Sequence, residues 1–154
     1  MSSEPPTEIT AAIGKAISQW QDATALFDEE VGARLNLSSS ERQCLACLAH
    51  GPRPAREIAD ATRLTRAAVT SLIDRLEARG LLKRTPDEHD RRQVLVSMTA
   101  KAEQLTMQYY GPIVAEGTKF LARFSRKELA TILRFIEEAL NLQLTQVDKV
   151  RKKP

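Results

Sequence analysis

Apolar positions along the chain fall at helical spacing in six stretches and at strand-like density in one pair of short runs. From Glu8 to Leu35, Ile13, Ala16, Trp20, Ala23 and Phe27 recur on one side, the pattern of a long helix whose stripe needs a partner surface. Ser38-Ser-Ser-Glu41 is a capping box, so a second helix begins there and turns Leu45, Leu48 and Ala49 inward. Gly51-Pro-Arg-Pro54 ends it, and Pro54 suits the first turn of a short third helix that carries Ile58 and Ala59 inward.

The fourth helix has the clearest pattern. After Arg63-Leu-Thr65, the residues Val69, Leu72, Ile73 and Leu76 form an i, i+3, i+4, i+7 set, and Gly80 suits a left-handed cap at the end. Leu81 to Thr85 and Gln93 to Ser97 then read as two strands joined by the polar stretch Pro86-Asp-Glu-His-Asp-Arg-Arg92, a β-hairpin with a charged tip. Thr99 caps a fifth helix running to about Phe124, and Gly111-Pro112 should bend or interrupt it because proline lacks an amide and crowds the preceding turn. Ser125-Arg-Lys-Glu128 is a second capping box, followed by the apolar face Leu129, Ile132, Leu133, Ile136 and Leu140 of a sixth helix.

Composition agrees with a helix-rich domain. The chain has 154 residues, 42% hydrophobic, 28% charged and only 5% aromatic, which fits one mainly α domain better than an all-β sandwich or a disordered chain. The net charge of +3 is carried by residues 53–92, where ten basic side chains face seven acidic ones. Residues 1–7 and the basic stretch 149–154 are expected to lie outside the ordered domain. No apolar run reaches a membrane span, and the first residues lack the features of a signal peptide, so a cytoplasmic protein with no membrane partner is expected.

The order helix, short helix, tight turn, helix, hairpin over residues 38–98 is that of a winged helix-turn-helix lobe. On its fourth helix, Arg66, Ala67, Thr70, Ser71 and Asp74 point away from the apolar set, a small polar surface able to enter a major groove. Thr65 caps that helix, whose free amides suit a phosphate. Arg75 belongs to the same candidate surface, and Asp90, Arg91 and Arg92 form the candidate wing, where an arginine on a narrow loop can enter the minor groove. Arg56, Lys83 and Arg84 are further candidate phosphate contacts. The alternative readings are an ordinary amphipathic helix and a solvated charged turn.

Leu64-Thr-Arg-Ala-Ala-Val-Thr-Ser-Leu-Ile-Asp-Arg-Leu-Glu-Ala-Arg-Gly-Leu-Leu-Lys-Arg84, followed by Asp87-Glu-His-Asp-Arg-Arg92 and Val94-Leu-Val-Ser97, resembles the MarR family of bacterial transcription regulators, and the likeness extends over about residues 8–146. The resemblance implies a mainly α fold with a small β-hairpin, arranged as one domain over residues 8–148. It further implies dimerisation helices at 8–35 and 99–146, a recognition helix at about Thr65 to Arg79, and a wing arginine that Arg91 matches by position. It places any effector site between the dimer helices and the winged lobe, with Trp20, Phe27, Met107, Tyr109 and Tyr110 as candidates; aromatic residues at helical spacing are otherwise plain core. Three departures stand out: Arg53 where an apolar residue is usual, Arg63 where glycine is common, and Gly111-Pro112 inside a dimer helix.

The expected function is therefore a palindrome-binding, ligand-responsive repressor acting on double-stranded DNA as a homodimer. The alternatives are an architectural or adaptor protein without an effector, a thiol-responsive regulator, and intramolecular packing of the end-helix stripes in place of a dimer. Cys44 and Cys47 share one side of the second helix and read either as small buried hydrophobes or as a redox pair. An enzyme is not expected: His50 and His89 lack partners for a metal or nucleophile site, and no phosphate-binding glycine motif or cofactor signature occurs.

Overall fold

Side-chain caps set where the helices begin. In the computed structural model, which describes residues 7–87, 90 and 93–152, the first helix, α1, spans Thr7–Leu35. The second, α2 (Ser39–Leu48), starts where Ser38 Oγ accepts from the Glu41 amide and Glu41 Oε2 accepts from the Ser38 amide at 2.8 Å. α3 covers Ala55–Thr62 and α4 Arg66–Ala78, the latter capped by Thr65 Oγ1 accepting from Ala68 N at 3.3 Å. Thr99 Oγ1 accepts from Ala102 N at the start of α5 (Ala100–Leu121), and Ser125 with Glu128 repeats the capping box for α6 (Arg126–Arg151).

Three helix ends share one left-handed stop. At the end of α4 the Gly80 amide donates to Glu77 O at 2.8 Å and the Leu81 amide to Leu76 O at 2.9 Å, a Schellman motif with Gly80 at φ +69°. Leu64 N to Ala59 O and Leu37 N to Gly32 O close α3 and α1 in the same way, with Arg63 (φ +55°) and Asn36 (φ +50°) in the left-handed position. Arg63 carries a Cβ into a conformation that costs an L-residue about 1–2 kcal/mol.

The chain divides into two compact units, one ending at Thr106 and the other beginning at Met107. The first contains a three-stranded antiparallel sheet in the order β1-β3-β2, formed by β1 (Arg53–Pro54), β2 (Leu82–Pro86) and β3 (Val94–Met98). The expected hairpin is present, with Arg84 opposite Val96, but Arg53 also pairs with Val96 and Pro54 with Leu95. Pro54 is thus extended at φ −70°, ψ 151° and sits just before α3 rather than inside its first turn. Cys44, Leu48, Ile58, Val69, Leu72, Ile73, Leu76, Leu81, Leu82, Val96 and Ala102 form one buried core beneath this sheet and α2–α4. Ala49, expected to turn inward, is exposed because α2 ends at Leu48.

In the second unit, α5 runs through Pro112 without interruption, so of the two expected outcomes, a bend or a break, the break does not occur. Proline deletes one amide donor, and the remaining hydrogen bonds of a helix this long carry the chain past it. α6 reaches Arg151, beyond the expected limit at residue 146, and has no buried residue. α1, in the first unit, likewise buries only Val31 and Gly32, leaving Ile9, Ile13, Trp20 and Leu26 exposed. Among the described residues, no helix is long and apolar enough to cross a membrane.

Candidate nucleic-acid interface

The apolar set Val69, Leu72, Ile73 and Leu76 is buried almost completely, and this fixes the rotation of α4 about its own axis. The opposite side is consequently presented outward: Thr65, Arg66, Ala67, Thr70, Ser71 and Asp74 are all exposed. Thr70 Oγ1 donates to Arg66 O at 3.0 Å, which leaves its oxygen lone pairs facing out as acceptors. Among the described residues Arg66 has no ion-pair partner, so its five donors stay available. The short side chains beside it leave room for a close approach of base edges.

The other candidate cations have different surroundings. Arg75 lies with Nε 3.7 Å from Glu41 Oε1 while most of its side chain remains exposed. Arg79, one turn further along, brings Nη1 within 3.9 Å of Glu41 Oε2 and donates through Nη2 to Leu35 O at 2.8 Å. Glu41 therefore has two tasks, capping α2 and collecting two arginines of α4. Only the first is legible in the sequence, although the i, i+4 spacing of Arg75 and Arg79 signals that they share a side.

Arg84 is on β2 two residues after the buried Leu82, so strand alternation aims it toward the core face, whereas Lys83 projects from the opposite face and is exposed. Arg84 Nη2 donates to Asp74 Oδ1 at 2.5 Å and Nη1 donates to Glu77 Oε2. Burial works against its charge, but hydrogen bonds and Coulombic attraction from Asp74 and Glu77 outweigh this and raise its pKa. Arg56 is exposed on α3, and Arg53 pairs with Glu57 at 3.4 Å.

At the hairpin, the Asp87 amide donates to Gln93 O at 2.9 Å and the Gln93 amide to Asp90 O at 2.8 Å. Asp90 is exposed, whereas Arg91 and Arg92, the remaining candidate wing residues, lie outside the described residues.

The effector candidates are scattered in exposure. Trp20 and Met107 are exposed by 65% and 68%, and Phe27, Tyr109 and Tyr110 are half-buried. None of the five lines either of two clefts in the first unit. One, of about 140 Å³, is walled by Leu35, Leu37, Leu45, Leu81 and Leu105 with Arg79 and Lys101 at its polar side. The other is bordered by Gly32, Asn36, Ser38, Glu41, Arg75 and Arg79. Lys101 Nζ donates to Arg79 O and Thr99 Oγ1 to Gly80 O, so the C-terminal carbonyls of α4 are met by a cation and a hydroxyl.

Cys44 is fully buried, and burial first, then the neighbouring Cys47 and Glu41, pushes its pKa up to about 12. Cys47 is half-buried; burial and Glu57 raise its pKa against the lowering effect of Arg53. Neither thiol has the electropositive setting that activates a redox cysteine. Among the described residues, no group of His, Cys, Asp and Glu is arranged to hold a metal.

Comparison with known proteins gives the same picture. The MarR family model matches residues 35–93. An uncharacterized HTH-type transcriptional regulator of Bacillus subtilis, YcgE, is 28% identical over 131 residues, 84% of each chain. The regulator PecS of Dickeya dadantii is 30% identical over 119 residues, 73% of this chain and 72% of that one, and the repressor NicR of Pseudomonas putida is 31% identical over 65% and 64%. In fold, the chain is similar to Rv1404 of Mycobacterium tuberculosis, with a TM-score of 0.64 at 20% identity over 92% of this chain and 97% of that one. With its buried-core winged helix-turn-helix and these relatives, the chain belongs to the MarR family, whose members are DNA-binding transcription regulators and not enzymes.

Proposed function

We propose that this regulator is a homodimeric repressor that reads a roughly palindromic operator and is released from it by a small molecule. The observation that carries the DNA-reading part is the two-faced α4, with Val69, Leu72, Ile73 and Leu76 sealed in the core and Arg66, Ala67, Thr70 and Ser71 open to an approaching duplex. In this reading Arg66 makes the base contact in the major groove, while the capped N-terminus at Thr65 and the half-free Arg75 meet phosphate. Asp90, Arg91 and Arg92 supply the wing, and Arg56 and Lys83 add phosphate contacts.

Dimerisation is supported by apolar surface that its own unit leaves open. On α6, Leu133, Ile136, Leu140 and Leu144 repeat at helical spacing and are all exposed, as are Ile9, Ile13 and Trp20 on α1. Water-soluble monomers rarely leave such stripes uncovered, and a second copy offers the matching stripes. A two-fold dimer presents two α4 helices to half-sites about 34 Å apart, one helical turn of DNA. Repression is supported by the likeness to NicR, itself a transcriptional repressor. The leucine-walled cleft supports an effector, since its apolar lining suits a small, mainly apolar molecule.

Selection of bound fragments from genomic DNA tests the reading. Recovery of an inverted repeat with half-site centres one turn apart is expected; recovery of unrelated fragments contradicts it. A small-molecule screen for release of the recovered duplex then separates an effector-controlled repressor from a DNA-binding protein without a signal.

A further inference from the structure

Two carboxylates stand where a DNA-reading helix would be expected to avoid them. Asp74 is one turn beyond Thr70 and Ser71 on the outward side of α4, and Glu77 follows it at i+3. Duplex DNA carries about one negative charge per 1.7 Å of axis, and the screening length near physiological salt is about 8 Å, so both acids act on phosphates beside the groove that α4 enters.

Arg84 is the group that answers them. It projects from β2, the strand that leads into the wing, and its two terminal nitrogens are each spent on one acid, Asp74 at 2.5 Å and Glu77. Its side chain is 31% exposed against 58% for Asp74, so the guanidinium is the more enclosed member of the pair. We infer that Arg84 is a positioning residue for DNA binding, which neutralises Asp74 and Glu77 and pins the wing strand to α4, and is not itself a phosphate ligand. Turning the guanidinium to a phosphate would gain one contact and uncover two carboxylates close to the same anion. The fork geometry also ties β2 to successive turns of α4, which a single-point ammonium would not do. The inference rests on α4 being the helix that reads DNA.

The test is a background swap, read by fluorescence titration of a duplex recovered in the genomic selection. Arg84→Gln is expected to weaken binding about tenfold at fixed salt, because two unpaired acids then face the backbone. In a chain already carrying Asp74→Asn and Glu77→Gln, adding Arg84→Gln is expected to change affinity by less than about twofold and leave the slope of log K against log salt unaltered. Arg84→Lys, which keeps the charge and the fold but loses the fork, is expected to fall between wild type and Arg84→Gln. An equal loss from Arg84→Gln in both backgrounds, with the slope reduced by about 0.9, would overturn the inference and make Arg84 a phosphate ligand. A wild-type protein that retains no duplex would instead overturn the DNA-reading assignment of α4, a result visible before any variant is compared.

Discussion

Arg79 at the end of α4 donates to the carbonyl of Leu35 at the end of α1, a 2.8 Å bond that joins two helix C-termini 44 residues apart in sequence. The same guanidinium approaches Glu41, so one side chain meets an orphan helix carbonyl and a nearly buried carboxylate together. Removing it should leave Leu35 O without a donor and Glu41 with only the 3.7 Å approach of the mostly exposed Arg75. Arg79→Ala is expected to lower stability by about 1–3 kcal/mol, measured by urea unfolding. An unchanged midpoint would mean that water replaces the arginine at no loss.

Arg63 makes the turn between α3 and α4 in a left-handed conformation. Glycine relieves the Cβ clash but loses more backbone entropy on folding, which offsets part of the gain. Arg63→Gly is therefore expected to stabilise the protein by about 0.5–1 kcal/mol, an increase of roughly 1–4 °C in Tm. A fall in Tm would show that the arginine side chain makes contacts that outweigh the backbone strain.

The thiols give a pH-dependent expectation. Because burial raises the folded pKa of Cys44 from its ordinary 9.0 to about 12, the folded state favours the neutral thiol. Its contribution to stability is complete below about pH 9 and is lost as pH rises toward 12. Near neutral pH a thiol reagent should label Cys47 in the native protein and Cys44 only on unfolding, and peroxide should leave DNA affinity unaltered. Rapid labelling of both, or release of DNA on oxidation, would restore the redox-switch reading.

Arg66 is the long donor on the outward side of α4 without an acidic partner among the described residues. Arg66→Ala is expected to cost about 1–3 kcal/mol on the preferred operator and little on a duplex altered at the contacted base, so discrimination relaxes. Titrations against both duplexes measure this, and an equal loss on the two would recast Arg66 as a phosphate contact.

Local chemistry was legible in the sequence, and non-local pairing was not. Ser38 with Glu41, Ser125 with Glu128, Thr65, Thr99 and Gly80 act within a few residues of themselves, so their caps and stops could be read directly. The period-3.6 set of α4 fixed its buried side, and hence its open one, for the same reason. β1 escaped because a two-residue strand has no periodicity and exists only through its pairing with Val96 and Leu95. Arg84 read as a free cation because its partners lie ten and seven residues earlier on another element, although its alternation with Leu82 already pointed it inward. Pro112 reads as a bend or a break because its local effect is adverse, while the length of α5 on both sides keeps the helix continuous.

The central claim is that the open side of α4 distinguishes one DNA sequence from another. Equilibrium titration of the purified protein at about 0.15 M salt, against a duplex recovered from the genome and a shuffled duplex of equal length and composition, tests it most directly. The account predicts a preference of about a thousandfold or more for the recovered duplex. Equal affinity for the two would contradict it.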